Sequence, residues 1–221
     1  MEKIIPIYKP IGFSSFDIVK KFKKESGFIK KVGHGGTLDP FACGVLLLLL
    51  GDGTKKFEEI RSWRKTYLAG IRFGAKSSTQ DVAGEIEMTE QTRISVLKLK
   101  EIISNISNKD IIQKVSPFSA AKHNGKPLYK FAKKGVVIEK SKKIFLGNID
   151  IVCYKWPLLT LRIESSGGAY IRQLAEDIGE EIGCNCFVYF LEREKIGEYD
   201  IASCYSIDSF NNILNKHDRG N

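Results

Sequence analysis

The sequence offers nothing that could span a bilayer. The run Val45 to Leu50 is strongly apolar, but a spanning helix needs ~20 residues. The N-terminus, MEKIIPIYKP, lacks the long apolar core of a signal peptide. The cysteines, Cys43, Cys153, Cys184, Cys186 and Cys204, are odd in number and scattered. Only Cys184 and Cys186 are close, and no second pair completes a tetrahedral zinc site. There is no internal repeat and no low-complexity segment. Together these absences predict a cytoplasmic chain that needs neither disulfides, metal nor membrane. A chain of 221 residues is also long enough to bury most of the apolar surface its unfolded form exposes.

What the chain has is positive charge. Lys plus Arg is 35 and Asp plus Glu is 26, a net charge of +9. Such an excess suits a polyanionic partner, or else a generally basic surface without a ligand.

Ser14, with Asp17 three residues on, has the spacing of a capping box opening a helix. Phe16, Val19, Lys20 and Phe22 give that helix a mixed face, and Gly27 ends it. Lys31 to Gly44, KVGHGGTLDPFACG, reads as a loop, because its glycines, Pro40 and Asp39 break regular structure. Val45 to Gly51 reads as a strand buried on both faces. Thr66 to Gly74 is a second strand, weakened by Gly70, and Glu85 to Met88 a short third. Ile94, Leu97, Ile102, Ile103 and Ile106 mark an amphipathic helix. Lys114 to Gly125 reads as an exposed loop, followed by a short helix begun by Pro127 and ending near Gly135. Leu159, Leu161 and Ile163 alternate as a half-buried strand. Tyr170 to Ile182 is a helix with Ile171, Leu174, Ala175, Ile178 and Ile182 inward and Gly183 closing it. Intermixed elements without strict alternation predict an α+β fold. The tail after about Ile207 is polar and is expected to fray.

Asp39 stands in the glycine-rich turn, beside Pro40 and directly before the buried strand. A carboxylate there is held by scaffold yet reachable from outside; alternatively it is an Asx-turn residue fixing the loop. His34 is either a general acid/base partner or a backbone hydrogen-bonding group. Gly33, Gly35 and Gly36 resemble a phosphate-binding turn, but the G-K-[ST] ending of a P-loop is missing, which argues against nucleotide hydrolysis. Lys30, Lys31, Lys55, Lys56, Arg61, Arg64 and Lys65 flank this loop. Lys114, Lys122, Lys126, Lys130, Lys133 and Lys134 form a second basic cluster, interleaved with Phe118, His123, Tyr129 and Phe131. Basic side chains neutralise phosphates and aromatic faces stack bases; the alternative is a solvated lysine face over core aromatics. Tyr170 and Arg172 open a helix after Gly167 and Gly168, either as functional groups or as a core anchor and a surface cation.

Taken in order, these segments resemble the TruB family of tRNA pseudouridine synthases. YKPIGFSSFDIVKKFKK is similar to the family's K-P-x-G-x-[ST]-S opening. KVGHGGTLDPFACG matches its most specific motif, G-H-x-G-x-L-D-P-x-A-x-G. KTYLAGIRFGAKSSTQDVAGEI resembles the K-x-Y segment followed by T-x-D-x-x-G. VSPFSAAKHNGKPLYKFAKKG resembles an RNA-binding insertion, and SSGGAYIRQLAEDIGEEIGC the G-x-Y-I-R-x-L-x-x-D-[IL]-G segment.

The resemblance implies a pseudouridine synthase fold, with a mixed, mainly antiparallel central sheet flanked by helices. It implies one catalytic domain over 1–207 with the insertion at about 114–140, a polar tail at 208–221, and no C-terminal PUA domain. It makes Asp39 the catalytic carboxylate, Tyr67 the aromatic packed on the target base, and Tyr170 and Arg172 further active-site groups, Arg172 as partner of Asp39. His34, Lys55, Lys122, Lys126, Lys130 and Leu191 become RNA-binding residues, His34 helping to reshape the T-loop. The implied reaction converts uridine 55 of the tRNA T-loop to pseudouridine by base flipping, without cofactor or metal. The implied partner is the T-arm of tRNA, met by a monomer. The alternative is a non-catalytic tRNA-binding or folding protein on the same scaffold. Two positions depart from the family: Gly35 stands where Thr is usual, and Glu192 where a basic residue is frequent.

Overall fold

A computed structural model of the chain describes residues 2–90, 93–115, 121–123, 125–132, 134–136, 138 and 140–213. The chain forms two compact units, Met1–Thr66 with Glu192–Asn221, and Tyr67–Leu191. In chain order the elements of the first unit are β1 (Glu2–Lys9), α1 (Ser15–Ser26), β2 (Val32–His34), β3 (Cys43–Gly51) and α2 (Phe57–Ser62). β4 (Lys65–Phe73) starts there and continues into the second unit. The second unit adds β5 (Ala75–Ser77), β6 (Ile86–Met88), α3 (Val96–Ile106), β7 (Lys109–Lys114), β8 (Lys122–His123), β9 (Lys126–Pro127), α4 (Leu128–Ala132), β10 (Ser141–Lys155), β11 (Leu158–Ser165) and α5 (Ile171–Ile182). β12 (Cys186–Ile196) carries the chain back to the first unit, where β13 (Tyr199–Asp200) follows.

The first unit is organised by β3. β1 runs antiparallel to it from Glu2↔Gly51 to Lys9↔Gly44. β2 pairs with its far end, His34 against Leu48. The end of β12 lies parallel to its start, with Arg193 opposite Gly44. Alternate side chains of β3 feed two cores. Leu46, Leu48 and Leu50 pack with Ile5, Ile7, Ile18, Phe22, Phe210 and Ile213; Val45, Leu47 and Leu49 pack with Ile60 and Ile196. This is the both-faces burial that the VLLLLLG run predicts, and each such side chain contributes about 1.5–3 kcal/mol.

α1 has the expected capping box: Ser14 Oγ accepts from Asp17 N at 3.1 Å, Asp17 Oδ2 accepts from Ser14 N at 3.1 Å, and Gly27 closes the helix at φ 67°. Its buried face is Ser15, Ile18, Val19 and Phe22, whereas Phe16, assigned to the mixed face, is 59% exposed. Two further expectations need correction here. The Lys31–Gly44 loop contains the strand β2, because the backbone of Val32–His34 completes the ladder of β3. The tail does not fray immediately after Ile207, since Phe210 and Ile213 are anchored in the core.

In the second unit the strands run in the order β12, β4, β11, β10, β7. With its mainly antiparallel pairs and helices, the chain has the α+β architecture expected. α3 buries Leu99, Ile102 and Ile103; Leu97, one of the apolar positions that mark the helix, is 79% exposed. β10 was not predicted. Its pairing with β11 shifts register between Leu146 and Ile149 and again between Ile151 and Cys153, which disrupts the alternation by which strands are recognised. α5 closes at Gly183, φ 72°. Among the described residues no helix is long and apolar enough to cross a membrane.

Candidate functional site

In the first unit Asp39 is half-buried in the turn between β2 and β3. Side chains fasten this turn from several directions. Ser15 Oγ accepts from Leu38 N at 2.8 Å and donates to Leu38 O at 3.0 Å. Gly12 N donates to Pro40 O at 2.8 Å, and Ala42 N to Asp39 O at 3.1 Å. Lys9 Nζ donates to Ala42 O at 2.6 Å and also to the Pro10 and Phe13 carbonyls. Arg193, buried on β12, donates to Gly36 O at 3.1 Å, Thr37 O at 3.2 Å and Val45 O at 2.8 Å. The carboxylate thus sits on backbone fastened at several points. That is what a nucleophile or base needs if its geometry is to be set before substrate arrives.

The buried cations around the turn raise its electrostatic potential. Lys65 Nζ donates to Arg61 O at 3.0 Å and Trp63 O at 2.8 Å. Burial, helped by the charge of Arg193, pushes both Lys9 and Lys65 down to about 8; for Lys9 the negative charge of Asp39 opposes that fall. His34 on β2 is also pushed down, first by burial and then by Arg193, and its Nδ1 has no hydrogen-bond partner among the described residues. It is therefore neutral near pH 7, which disfavours a role as a proton donor.

The two departures are absorbed locally. A Cβ at Gly35 would lie 2.6 Å from Ile60 Cγ2, so Ile60 occupies the volume a larger residue would need. Glu192 Oε1 accepts from the Tyr8 hydroxyl at 2.8 Å and lies 3.8 Å from Cys43 Sγ. Lys55 is exposed on the 3-10 turn Asp52–Lys56 and pairs with Asp52 at 2.7 Å.

In the second unit Tyr67 lies on β4 and Leu191 on β12, both buried. Tyr170 is the N-cap of α5 and Arg172 stands in its first turn. Arg172 Nη1 donates to Asp81 Oδ2 at 3.0 Å and to Thr79 O at 3.0 Å. Asp81 is oriented in turn by Thr79 Oγ1 at 2.7 Å and Ala83 N at 3.0 Å. Its segment is tied to β12 by Val82 N to Val188 O and Val188 N to Gln80 O. Asp81 was not singled out from sequence, although the T-Q-D run followed by Gly84 was its signal. Gly84 has no room for a side chain, since a Cβ there would lie 2.5 Å from Ser77 Oγ and Thr79 Oγ1. Arg193 and Lys9 escaped notice for a different reason: charged residues in strands read as solvated ones.

Lys126 and Lys130 are exposed. The side chain of Lys122 lies outside the described residues, as do Ser116–Ala120 of the insertion. Among the described residues no cluster of His, Cys, Asp and Glu could hold a metal ion.

Residues 23–171 match the family model described as TruB family pseudouridylate synthase (N terminal domain). The chain is 35% identical over 209 residues to tRNA pseudouridine synthase B of Caldicellulosiruptor saccharolyticus, covering 94% of this chain and 72% of that protein. It is 38% identical over 222 residues to the protein of the same name from Clostridium acetobutylicum, covering 97% and 76%. A chain in the crystal structure of a Cbf5-Nop10-Gar1 complex superposes with a TM-score of 0.72 at 21% identity, covering 99% of this chain and 56% of that one. The last likeness speaks to fold alone.

Proposed function

Because this chain belongs to the TruB family of pseudouridylate synthases, we propose that it isomerises uridine to pseudouridine in tRNA, at the T-loop uridine 55. The reaction breaks the C1′–N1 and C5–H bonds and forms C1′–C5 and N1–H, a net isomerisation that consumes no oxidant and no energy source. The base must leave its stack first, at a cost of a few kcal/mol that stacking and phosphate contacts offset.

Asp39 acts at the sugar, as nucleophile at C1′ or as the base that removes a sugar proton. Tyr67 packs on the extruded uracil, Tyr170 and Arg172 act on the same nucleotide, and Leu191 gives an apolar wall. His34, neutral at physiological pH, fills space that the displaced bases leave rather than moving protons. Lys55, Lys122, Lys126 and Lys130 meet phosphates of the T-arm. The enzyme works as a monomer in the cytoplasm and needs no cofactor.

The observation that supports this reading best is the fastening of the Asp39 turn by Ser15, Lys9 and Arg193. So much buried hydrogen bonding around one half-exposed carboxylate suits pre-organised catalysis better than a loop stabilised for its own sake. Tritium release from uridine-labelled tRNA tests it. Asp39→Asn is expected to abolish turnover while RNA binding and the melting temperature persist; substantial turnover by that variant removes Asp39 from the central role. Wild-type function retained in cells by Asp39→Asn would instead favour the non-catalytic RNA-binding alternative.

A further inference from the structure

Tyr170 is gripped by two residues to which neither the family motifs nor the sequence reading assign a role. Gln113, on β7, is completely buried. Its amide is used in both senses on a single residue: Oε1 accepts from Tyr170 N at 2.8 Å, and Nε2 donates to Tyr170 O at 3.0 Å. The same carbonyl accepts the first helical bond of α5, from Leu174 N at 3.1 Å. A primary amide is the one neutral side chain group that can close such a two-point bond with a peptide, because it carries donor and acceptor side by side. Tyr170 has no side-chain cap of its own. The start of α5 is therefore fixed from outside, by a residue distant in sequence.

The ring is held as well. Lys142 Nζ stands 3.9 Å from the centroid of the Tyr170 ring, a cation–π distance. The ammonium also lies against the turn before α5, since a Cβ at Gly168 would come within 3.2 Å of it. Lys142 and Gln113 are direct partners in the β7–β10 ladder. Side chains of such cross-strand partners leave the sheet on the same face, and here both meet Tyr170. One rung of the sheet thus fixes the backbone and the ring of one residue.

We infer that Gln113 and Lys142 are positioning residues for Tyr170, setting how its ring is presented to the uridine. The inference rests on the synthase reading above. It predicts a defect in the chemical step and not in the capture of RNA. Misplacing a catalytic group slightly is costly, so Gln113→Leu and Lys142→Met are each expected to slow single-turnover pseudouridine formation by about tenfold or more. The Kd for tRNA should stay within about twofold, because neither residue is assigned to phosphate binding. Lys142→Arg keeps a cation on the ring and is expected to restore the rate. In a Tyr170→Ala background, Lys142→Met should cost nothing further, since the ring it positions is gone.

Other outcomes overturn the inference. A full rate for Lys142→Met does so. So does a weakened Kd with a shallower salt dependence, which would make Lys142 a phosphate ligand, or an equal loss from Lys142→Met with and without Tyr170. Should Gln113→Leu fail to fold, the half-exposed Lys142 pair of variants decides the matter alone. A wild-type chain inactive on tRNA would overturn the synthase reading itself, whereas an active wild type with unaffected variants overturns only the positioning role.

Discussion

Arg193 Nη2 donates to the carbonyl of Gly36 at 3.1 Å, three residues before Asp39. With Nη1 on Thr37 O and Nε on Val45 O, one guanidinium spans both ends of the Asp39 turn. Lysine cannot reproduce a planar fork. Arg193→Lys is expected to leave buried carbonyls unpaired and cost about 2 kcal/mol of stability. It should also slow single-turnover tRNA modification by about tenfold through displacement of the turn. Urea unfolding and rate measurements on the same protein check this; lost stability with an unchanged rate would make Arg193 a scaffold residue only.

The Arg172–Asp81 pair is buried on both sides, with side-chain exposures of 8% and 6%. Breaking a buried, hydrogen-bonded ion pair from one side is strongly destabilising, so Asp81→Asn is expected to cost about 3–5 kcal/mol. The double variant Asp81→Asn/Arg172→Met should be less destabilised than the sum of the two singles. Denaturant titration of all four proteins gives the coupling, and strict additivity would show that the ion pair carries no net interaction.

Gly35 provides a steric prediction about a departure from the family. Introducing the usual threonine places a Cβ 2.6 Å from Ile60 Cγ2, and overpacking of this kind typically costs about 1–3 kcal/mol. Ile60→Ala removes the obstructing methyl. Gly35→Thr/Ile60→Ala should therefore be more stable than the two single losses add up to, by about 1 kcal/mol or more. Independent effects in a thermal melt would mean that the turn simply moves aside.

Much of the fold was legible because its signals are local. The Ser14–Asp17 box, the apolar run of β3 and the alternation of Leu159, Leu161 and Ile163 each state their structure within a few residues, and all three hold. β2 and β10 were not legible. β2 exists because β3 offers it a partner, and the bulges of β10 erase its period. The same divide runs through the site. Asp39 is announced by its turn, whereas the role of Gln113 depends on a residue 57 positions away. Lys9, Lys65 and Arg193 are buried because backbone carbonyls meet their charges, and no spacing rule records that.

His34 gives a pH prediction with a definite sign. Its folded-state pKa lies below the ordinary histidine value of about 6.5, because burial and then the charge of Arg193 oppose the charged form. Below that value the unfolded chain binds a proton that the folded chain resists. Stability is therefore fully present above pH 6.5 and is lost as pH falls through the folded pKa. His34→Asn cannot titrate there and should flatten this part of the profile. Comparing urea midpoints of the two proteins from pH 7.5 to 5 checks it; parallel profiles would mean that His34 is protonated in the folded state.

The lysines of residues 122–130 make a different kind of prediction, about salt. Each phosphate neutralised releases counterions, so log K falls with log salt by about 0.7 per contact on single strands and about 0.9 on duplex. If Lys122, Lys126 and Lys130 all meet the T-arm, replacing the three with glutamine should reduce the slope by about 2. The loss should be the same for any T-arm sequence, because phosphates carry no base identity. Lys55 makes a useful contrast. Its ammonium pairs with Asp52 at 2.7 Å, so Lys55→Gln removes a cation whose charge is partly answered within the protein, and its slope change should be smaller. Filter binding of an unmodified T-arm hairpin across a salt series separates these cases. An unchanged slope in the triple variant would mean that residues 122–130 do not touch phosphate, while a selective loss on one T-arm sequence would make them readers of bases.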